Sequence, residues 1–332
     1  MSKTADEIAR ETGFSITTVR LVINGQSDKY RISAKTQKVI EDFIAIHGYS
    51  VNHAARSLKL RRTDTIGFVV PDLANAFFAR LMASLEVLCR ERNLLLLTVS
   101  SHDDPELENR AVANLLARGV DGLVIAPCQS MMPRLENRAR TPIVMFDRDY
   151  AQALYPTVVS DNVQGAQEMT RRMLQEVKTP FPFLCGHADS PSIQDRIRGF
   201  SAACAAFGLG EGDTLIRLDG EDSTAAGRRL MDALVGDRQG QPPAFMCSSL
   251  LVLEGALQQL KARFGQIDLA ILIGTFDDHT MLDLLPNRVV SIRQNEAALA
   301  SRIFARLIEP AGQSRRQGAR DVVAGALICR NL

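Results

Sequence analysis

No part of this 332-residue chain is apolar over the ~18–20 consecutive residues that a membrane-spanning helix needs, which excludes a helical membrane protein. The stretch Met1 to Arg10 is polar and carries no apolar run of the secretory kind. Cysteine is sparse. The six (Cys89, Cys128, Cys185, Cys204, Cys247 and Cys329) are scattered, and no two stand in a Cys-x-x-Cys pair. That pattern excludes a disulfide framework and reads as free, mostly buried thiols in a reducing compartment. The expected location is the cytoplasm. A chain that is 46% apolar and 23% charged is neither disordered nor collagen-like. Its length corresponds to roughly two ordinary domains plus something small.

Net charge is nearly absent too, at +1, but the average hides an asymmetry. Residues 1–63 hold eleven Lys or Arg against six acids, whereas the rest of the chain has four more acids than bases. A basic head on a mildly acidic body points to a polyanionic partner for the head.

The head reads as three short helices. Thr4 or Asp6 can cap the first, with Ile8 and Ala9 inward and Gly13 at its end. Ser15 caps a second helix from Ile16 to about Ile23, stopped by Asn24-Gly25. Ser33 caps a third, Ala34 to His47, with Val39, Ile40, Phe43 and Ile44 at helical spacing. Two helices joined by a turn containing glycine form a helix-turn-helix pattern.

Beyond residue 63, apolar runs recur at Ile66–Val70, Leu94–Val99, Gly122–Ala126, Ile143–Phe146, Val158–Val159, Phe181–Cys185, Ala244–Cys247, Leu269–Ile273 and Val289–Ile292. Amphipathic stretches such as Phe77–Arg92, Glu106–Arg118 and Val163–Glu176 lie between them. Short buried strands alternating with helices predict an α/β fold of doubly wound parallel sheets. The number of strands exceeds one comfortable sheet, so two similar lobes are expected, with a crossover near Ser160–Asn162.

Catalytic motifs are missing. No Gly-x-Gly-x-x-Gly follows a strand, and there is no phosphate loop, no Gly-x-Ser-x-Gly elbow and no His-Glu-x-x-His. The five histidines do not pair at metal-ligand spacing. Neither an enzyme nor any metal or cofactor is expected.

Several segments together resemble one family. Asp6-Glu7-Ile8-Ala9, Gly13-Phe14-Ser15-Ile16-Thr17-Thr18-Val19 and Val22-Ile23-Asn24-Gly25 look like the DNA-binding head of LacI-type (lactose-repressor) regulators. Arg31-Ile32-Ser33-Ala34-Lys35-Thr36, Gly48-Tyr49 and Asn52-His53-Ala54-Ala55-Arg56-Ser57-Leu58 continue it in register. In the body, Thr65 to Asp72, Gly119-Val120-Asp121-Gly122-Leu123 and Phe146-Asp147-Arg148 agree. Within the family, the Asp28-Lys29-Tyr30 insertion resembles the fructose and sucrose repressors. Leu253-Glu254-Gly255 and Thr275-Phe276-Asp277-Asp278-His279 favour the sucrose side of that subgroup.

The resemblance implies a helix-turn-helix head at 1–50 and a hinge helix with linker at 51–63. It further implies a two-lobed, periplasmic-binding-protein-like body. One lobe takes 64–161 plus 294–321, the other 162–293 plus 322–332. The second helix would enter the major groove with Ile16, Thr17, Arg20 and Leu21 near base edges, while Ser15, Thr18 and Ser33 meet phosphates and Asn24 also counts among the DNA-binding residues. Ile16 and Leu21 can touch thymine methyls but cannot make the bidentate bond that reads guanine. Asn52, Ala55 and Leu58 would form the hinge contacts, with Leu58 as a minor-groove wedge. Effector contacts fall on Asn75, Phe78, Asp147, Arg148, Ser192, Arg196, Ser249, Asp277 and Gln294. Carboxylates and guanidinium groups suit sugar hydroxyls, and the two arginines can hold a phosphate. The implied protein is a repressor of sugar-utilisation genes. It binds a pseudo-palindromic operator as a homodimer, with a fructose-, fructose-phosphate- or sucrose-like effector and no membrane partner. The competing classes are a sugar receptor without DNA binding and a phosphosugar enzyme.

Overall fold

The computed structural model describes residues 2–50, 62–128, 141–150, 155–210, 215–237, 240–308 and 319–332. The chain forms two compact units, Met1–Asp64 and Thr65–Leu332.

In the first unit, α1 (Ala5–Thr12), α2 (Ile16–Ile23) and α3 (Ala34–His47) follow the caps written in the sequence. Thr4 rather than Asp6 caps α1. Its hydroxyl accepts from the Glu7 N–H at 3.3 Å, and Glu7 accepts from the Thr4 N–H at 2.7 Å, a capping box. Gly13 ends α1 at φ 75°, a left-handed turn that glycine adopts without steric cost. Ile8, Val19 and Ile40 are completely buried at the centre, ringed by Phe14, Ile32, Phe43 and Tyr49. Val39 was expected to join this core but is 42% exposed. It lies 100° around the helix from Ile40, on the solvent side of the buried stripe.

The second unit is built on two six-stranded sheets. Its elements are β1 (Thr65–Val70), α4 (Ala76–Glu91), β2 (Leu95–Ser100), α5 (Pro105–Ala117), β3 (Gly122–Ile125), β4 (Ile143–Phe146) and β5 (Thr157–Ser160). Then come α6 (Asn162–Val177), β6 (Pro182–Cys185), α7 (Pro191–Ala206), β7 (Leu215–Leu218), α8 (Thr224–Gly236), β8 (Ala244–Cys247), α9 (Leu250–Phe264) and β9 (Leu272–Phe276). The chain finishes with β10 (Arg288–Arg293), α10 (Glu296–Ile308), β11 (Arg320–Val323) and β12 (Ala326–Arg330). One sheet has the order β11-β5-β4-β3-β1-β2, the other β12-β10-β9-β8-β6-β7. Among the described residues, every strand pairing in these sheets is parallel except β12 with β10.

Helices cover both faces of the central strands, so β3, β4, β6, β8 and β9 are buried along their whole length. Gly227 and Gly255 let α8 and α9 pack closely; a Cβ on Gly255 would overlap the Thr224 carbonyl. Four of the six cysteines are buried free thiols, whereas Cys128 is half-buried and Cys329 exposed.

The chain crosses between sheets three times: after Ser160, after Arg293 and after Val323. The last crossing lies two residues beyond the expected return at 321, because Val323 still pairs with Ser160. The strand expected at Leu269–Ile273 is displaced to Leu272–Phe276. A turn in which the Asp268 carboxylate accepts from the Ala270 N–H occupies the backbone there and leaves Leu269 63% exposed. Three further strands, β7, β11 and β12, are not among those expected from the sequence. All three are edge strands with partly exposed side chains.

Candidate functional site

On α2, Val19 and Val22 turn into the core of the head. Helical spacing then sets Thr17, Arg20, Leu21 and Asn24 on the opposite side. Thr17, Arg20 and Asn24 are exposed, and Ile16, Thr18 and Leu21 are half-buried. Ser15 and Ser33 are exposed caps whose hydroxyls lie 2.8 Å from those of Thr18 and Thr36. Arg10, Arg20, Lys29, Arg31, Lys35 and Lys38 are exposed around this unit. A contact that the sequence reading left without a role is Tyr30, 54% exposed, with the Lys29 ammonium 5.7 Å from its ring centroid. Asn52, Ala55 and Leu58 lie outside the described residues.

In the body, the nine expected contacts line one cleft between the two sheets, at the C-terminal ends of their strands. Asn75 follows β1 and caps α4, its side chain accepting from the Phe77 N–H at 3.0 Å. Phe78 packs edge-on against Phe146, the last residue of β4, with centroids 6.0 Å apart. Asp147 comes next and holds a left-handed backbone, φ 62°, a sparsely populated state for a non-glycine residue. Arg148, 7% exposed, donates from Nη1 to Asp103 Oδ1 at 2.5 Å.

From the second sheet, Arg196 on α7 donates from Nε to Asn162 Oδ1 at 2.9 Å and from Nη1 to the Ser248 carbonyl at 2.6 Å. Ser192 is 2.9 Å from Ser190. Ser249 caps α9 and donates to Asp222. Asp277 follows β9 and accepts from the Gln294 amide, whose oxygen accepts in turn from Ser160. Gln294 stands in the second crossover, so this chain of bonds joins two of the connections between lobes.

The cleft also contains Phe77, His187, Ser190, Ile193 and Asp222, which motif matching did not single out. His187 lies two residues beyond the end of β6, a position that the strand-end rule alone marks. The space not filled by atoms is about 410 Å³, part of it open to solvent. Burial pushes the Asp147 carboxyl above its ordinary range, against the pull of Arg196 and Arg148. Asp222 is raised by burial as well, although the Ser249 hydroxyl bond works the other way. These are forked donors and paired acceptors around a small polar space, a chemistry for holding hydroxyl groups and an oxyanion. Among the described residues, no group of three or more His, Cys, Asp and Glu is placed to hold a metal ion. Among the same residues, no helix is long and apolar enough to cross a membrane.

The family model described as "periplasmic binding proteins and sugar binding domain of LacI family" matches residues 63–299. The chain is 31% identical over 299 residues to the sucrose operon repressor of Klebsiella pneumoniae, covering 90% of this chain and 89% of that one. Among solved structures, the Cra transcriptional dual regulator from Pseudomonas putida in complex with fructose 1-phosphate superposes with a TM-score of 0.71 at 27% identity. The match covers 80% of this chain and 98% of that one. The lac repressor dimer bound to operator and an anti-inducer shares the fold over 99% of this chain and 98% of its own, with a TM-score of 0.79 at 19% identity. With its helical head, its two-sheet body and these relatives, the chain belongs to the LacI family and is a transcriptional regulator rather than an enzyme.

Proposed function

We propose that the protein is a cytoplasmic repressor of sugar-utilisation genes, controlled by a fructose-based effector: fructose, a fructose phosphate or a sucrose-like sugar. The observation that carries this reading is the meeting of nine separately expected residues in one polar cleft, on a chain whose basic helical head has its own core. Residues 1–50 would read the operator and 51–63 would form the hinge. The lobes at 64–161 plus 294–323 and at 162–293 plus 324–332 would close on the effector. Ile16, Thr17, Arg20 and Leu21 face the bases in this reading, and Ser15, Thr18 and Ser33 the phosphates.

A homodimer on a pseudo-palindromic operator fits an apolar groove lined by Leu250, Leu251, Leu257, Leu282 and Leu285. Met281 and Leu284 beside it are 66% and 79% exposed, more apolar surface than an isolated unit needs to show. Effector and operator are coupled only to the extent that the effector binds one lobe arrangement better than the other.

The test is a thermal-shift and calorimetric screen with fructose, fructose 1-phosphate, fructose 6-phosphate, sucrose and sucrose 6-phosphate. It runs beside gel-shift assays on DNA that the protein selects from a random library. A ligand at about one hundred times its Kd stabilises the native state by ~2.7 kcal/mol, a readily measured shift. Sugar binding without any DNA selection would leave a receptor, and DNA selection indifferent to every sugar would remove the effector assignment.

A further inference from the structure

The loop that follows β7 reaches the cleft through a close approach that only glycine allows. A Cβ on Gly186, the residue after β6, would lie 2.5 Å from the Glu221 carbonyl oxygen and 3.0 Å from the Asp222 Cα. Any side chain there would push the loop away. Backbone bonds fasten it in place. The Asp219 N–H donates to the Cys185 carbonyl at 2.9 Å, and the Ala188 N–H donates to the Asp219 carbonyl at 3.1 Å. The Gly186 N–H donates to the Ser248 hydroxyl at 3.0 Å, which ties the ends of β6 and β8 together as well.

Asp222 is thereby delivered to the cleft, which it lines while staying half-buried. Its Oδ1 accepts from the Ser249 hydroxyl. Its Oδ2 accepts nothing among the described residues and is not fully enclosed. Burial holds the carboxyl above its ordinary range; the Ser249 bond, Arg196 and Arg148 oppose that rise, and Asp277 adds to it. Asp222 therefore stands within electrostatic reach of the other charged groups of the cleft.

Hydrogen-bond capacity decides between Asp222 and Ser249. A serine hydroxyl has one proton to give. That of Ser249 goes to Asp222, and its oxygen already accepts from the Val252 N–H at 3.2 Å as the cap of α9. The donor expected of Ser249 is thus spent on the protein, and the open group at this corner is Asp222 Oδ2. A carboxylate oxygen offers lone pairs and no proton, so its complement is a donor. A sugar hydroxyl supplies one, whereas a phosphate oxygen in the same place would meet like charge.

Resting on the reading of the cleft as a sugar site, we infer that Asp222 is a direct effector contact: its Oδ2 accepts a hydrogen bond from a hydroxyl of the bound sugar. Ser249 is its positioning residue, holding the carboxylate by Oδ1 so that the other oxygen is left for the ligand. The contact serves a free sugar and a sugar phosphate alike, because it takes a hydroxyl in both.

Calorimetric titration of the full-length protein tests this with the panel sugar that it takes up and with analogues of that sugar, each lacking one hydroxyl of the fructose unit. Asp222→Ala lowers affinity for the complete sugar at least ~10-fold, the scale of one buried charged hydrogen bond. One deoxy analogue loses about as much on the wild type, and the alanine variant binds that analogue as well as it binds the complete sugar. Asp222→Asn keeps the shape of the side chain and gives up its charge, so it shows the same pattern with a smaller loss. Urea unfolding shows that each variant folds. Ser249→Ala weakens sugar binding in the wild-type background and leaves it unchanged in the Asp222→Ala background, while the loss of the α9 cap is read separately in the unfolding midpoint. An alanine variant that binds like wild type, or one that loses equally on the complete sugar and on every deoxy analogue, overturns the contact. Equal losses for Ser249→Ala in both backgrounds overturn its positioning role. A wild-type protein that takes up no panel sugar overturns the sugar reading itself, an outcome separate from the other two.

Discussion

The Arg196 guanidinium sits over the Phe276 ring, its central carbon 4.2 Å from the ring centroid, while two of its nitrogens are tied to Asn162 and Ser248. Stacking and two hydrogen bonds fix the plane of the fork, so the remaining nitrogen is oriented before any ligand arrives. A buried charged hydrogen bond is worth ~1.5–3 kcal/mol, so Arg196→Ala is expected to cost at least ~10-fold in effector affinity. Arg196→Lys should fail nearly as badly, because an ammonium neither stacks as a plane nor forms the fork. Operator affinity without effector should survive in both. A lysine variant with wild-type sugar affinity would count against the orienting role of Phe276.

Much of this cleft was legible because its side chains sit at strand ends that apolar runs already mark. Phe146-Asp147-Arg148 and Phe276-Asp277 show a buried strand giving way to charge. Asp103, His187 and Asp222 were not legible in that way. Each lies in a loop whose partner is far away in sequence, Asp103 and His187 in opposite lobes and Asp222 beside Ser249, and no short-range pattern encodes such an approach. The edge strands failed for a related reason. Leu215–Leu218 is covered on one side only, so its sequence lacks the continuous apolar run of a central strand. The head was the most legible part, since Ser15 and Ser33 announce α2 and α3 by capping chemistry that is local.

The independence of the head's core sets up a second prediction. Ile8 is fully buried among Val19, Val22 and Ile40, in a cluster whose described members all come from the head. Ile8→Ala leaves a cavity that costs ~2–5 kcal/mol, a large share of what a unit this small can have. DNA binding should be lost at moderate temperature while calorimetric sugar affinity stays at the wild-type value. A simultaneous loss of sugar binding would show that the two units do not fold independently.

The charge of the head predicts steep salt dependence. If about six or more phosphates are neutralised, operator affinity should fall by ~10³-fold or more between ~50 and ~200 mM salt. A fragment of residues 1–63 should bind the same DNA weakly, having lost the partner copy that the groove beside Met281 is proposed to hold. Gel-shift titrations across that salt range measure the slope. A flat response would remove the basic face as the source of affinity.

Stability of the body should carry a weak acid dependence through Asp321. Both of its oxygens accept from Arg306, at 2.8 Å each, which holds its carboxyl below the usual range despite some burial. A carboxyl lowered in the folded state stabilises above its unfolded value of ~3.9, and that contribution disappears as pH falls through the folded value. Asp321→Asn should therefore destabilise the body by about 1 kcal/mol near neutrality, a modest figure for a partly exposed pair. The gap from wild type should begin to narrow below about pH 4 and close as the folded carboxyl itself takes up its proton. Urea unfolding of both proteins near neutrality and near pH 3 measures it, and a gap that persists in acid would assign the effect to packing instead.

Arg148 separates the two chemistries that the effector can have. It is 7% exposed and engaged by Asp103, beside Asp147. A guanidinium in that place can steady a sugar hydroxyl or clamp a phosphate, and the two differ in what its removal costs. Against fructose 1-phosphate, Arg148→Ala should lower affinity by at least ~10-fold, the value of one charge-assisted bond. Against fructose, the expected change is small, because Asp147 and Asp277 still accept from its hydroxyls. Equal losses on both ligands would mean that Arg148 contacts the sugar ring rather than the phosphate. No loss on either would remove it from the site and leave Arg196 as the cation that the effector meets.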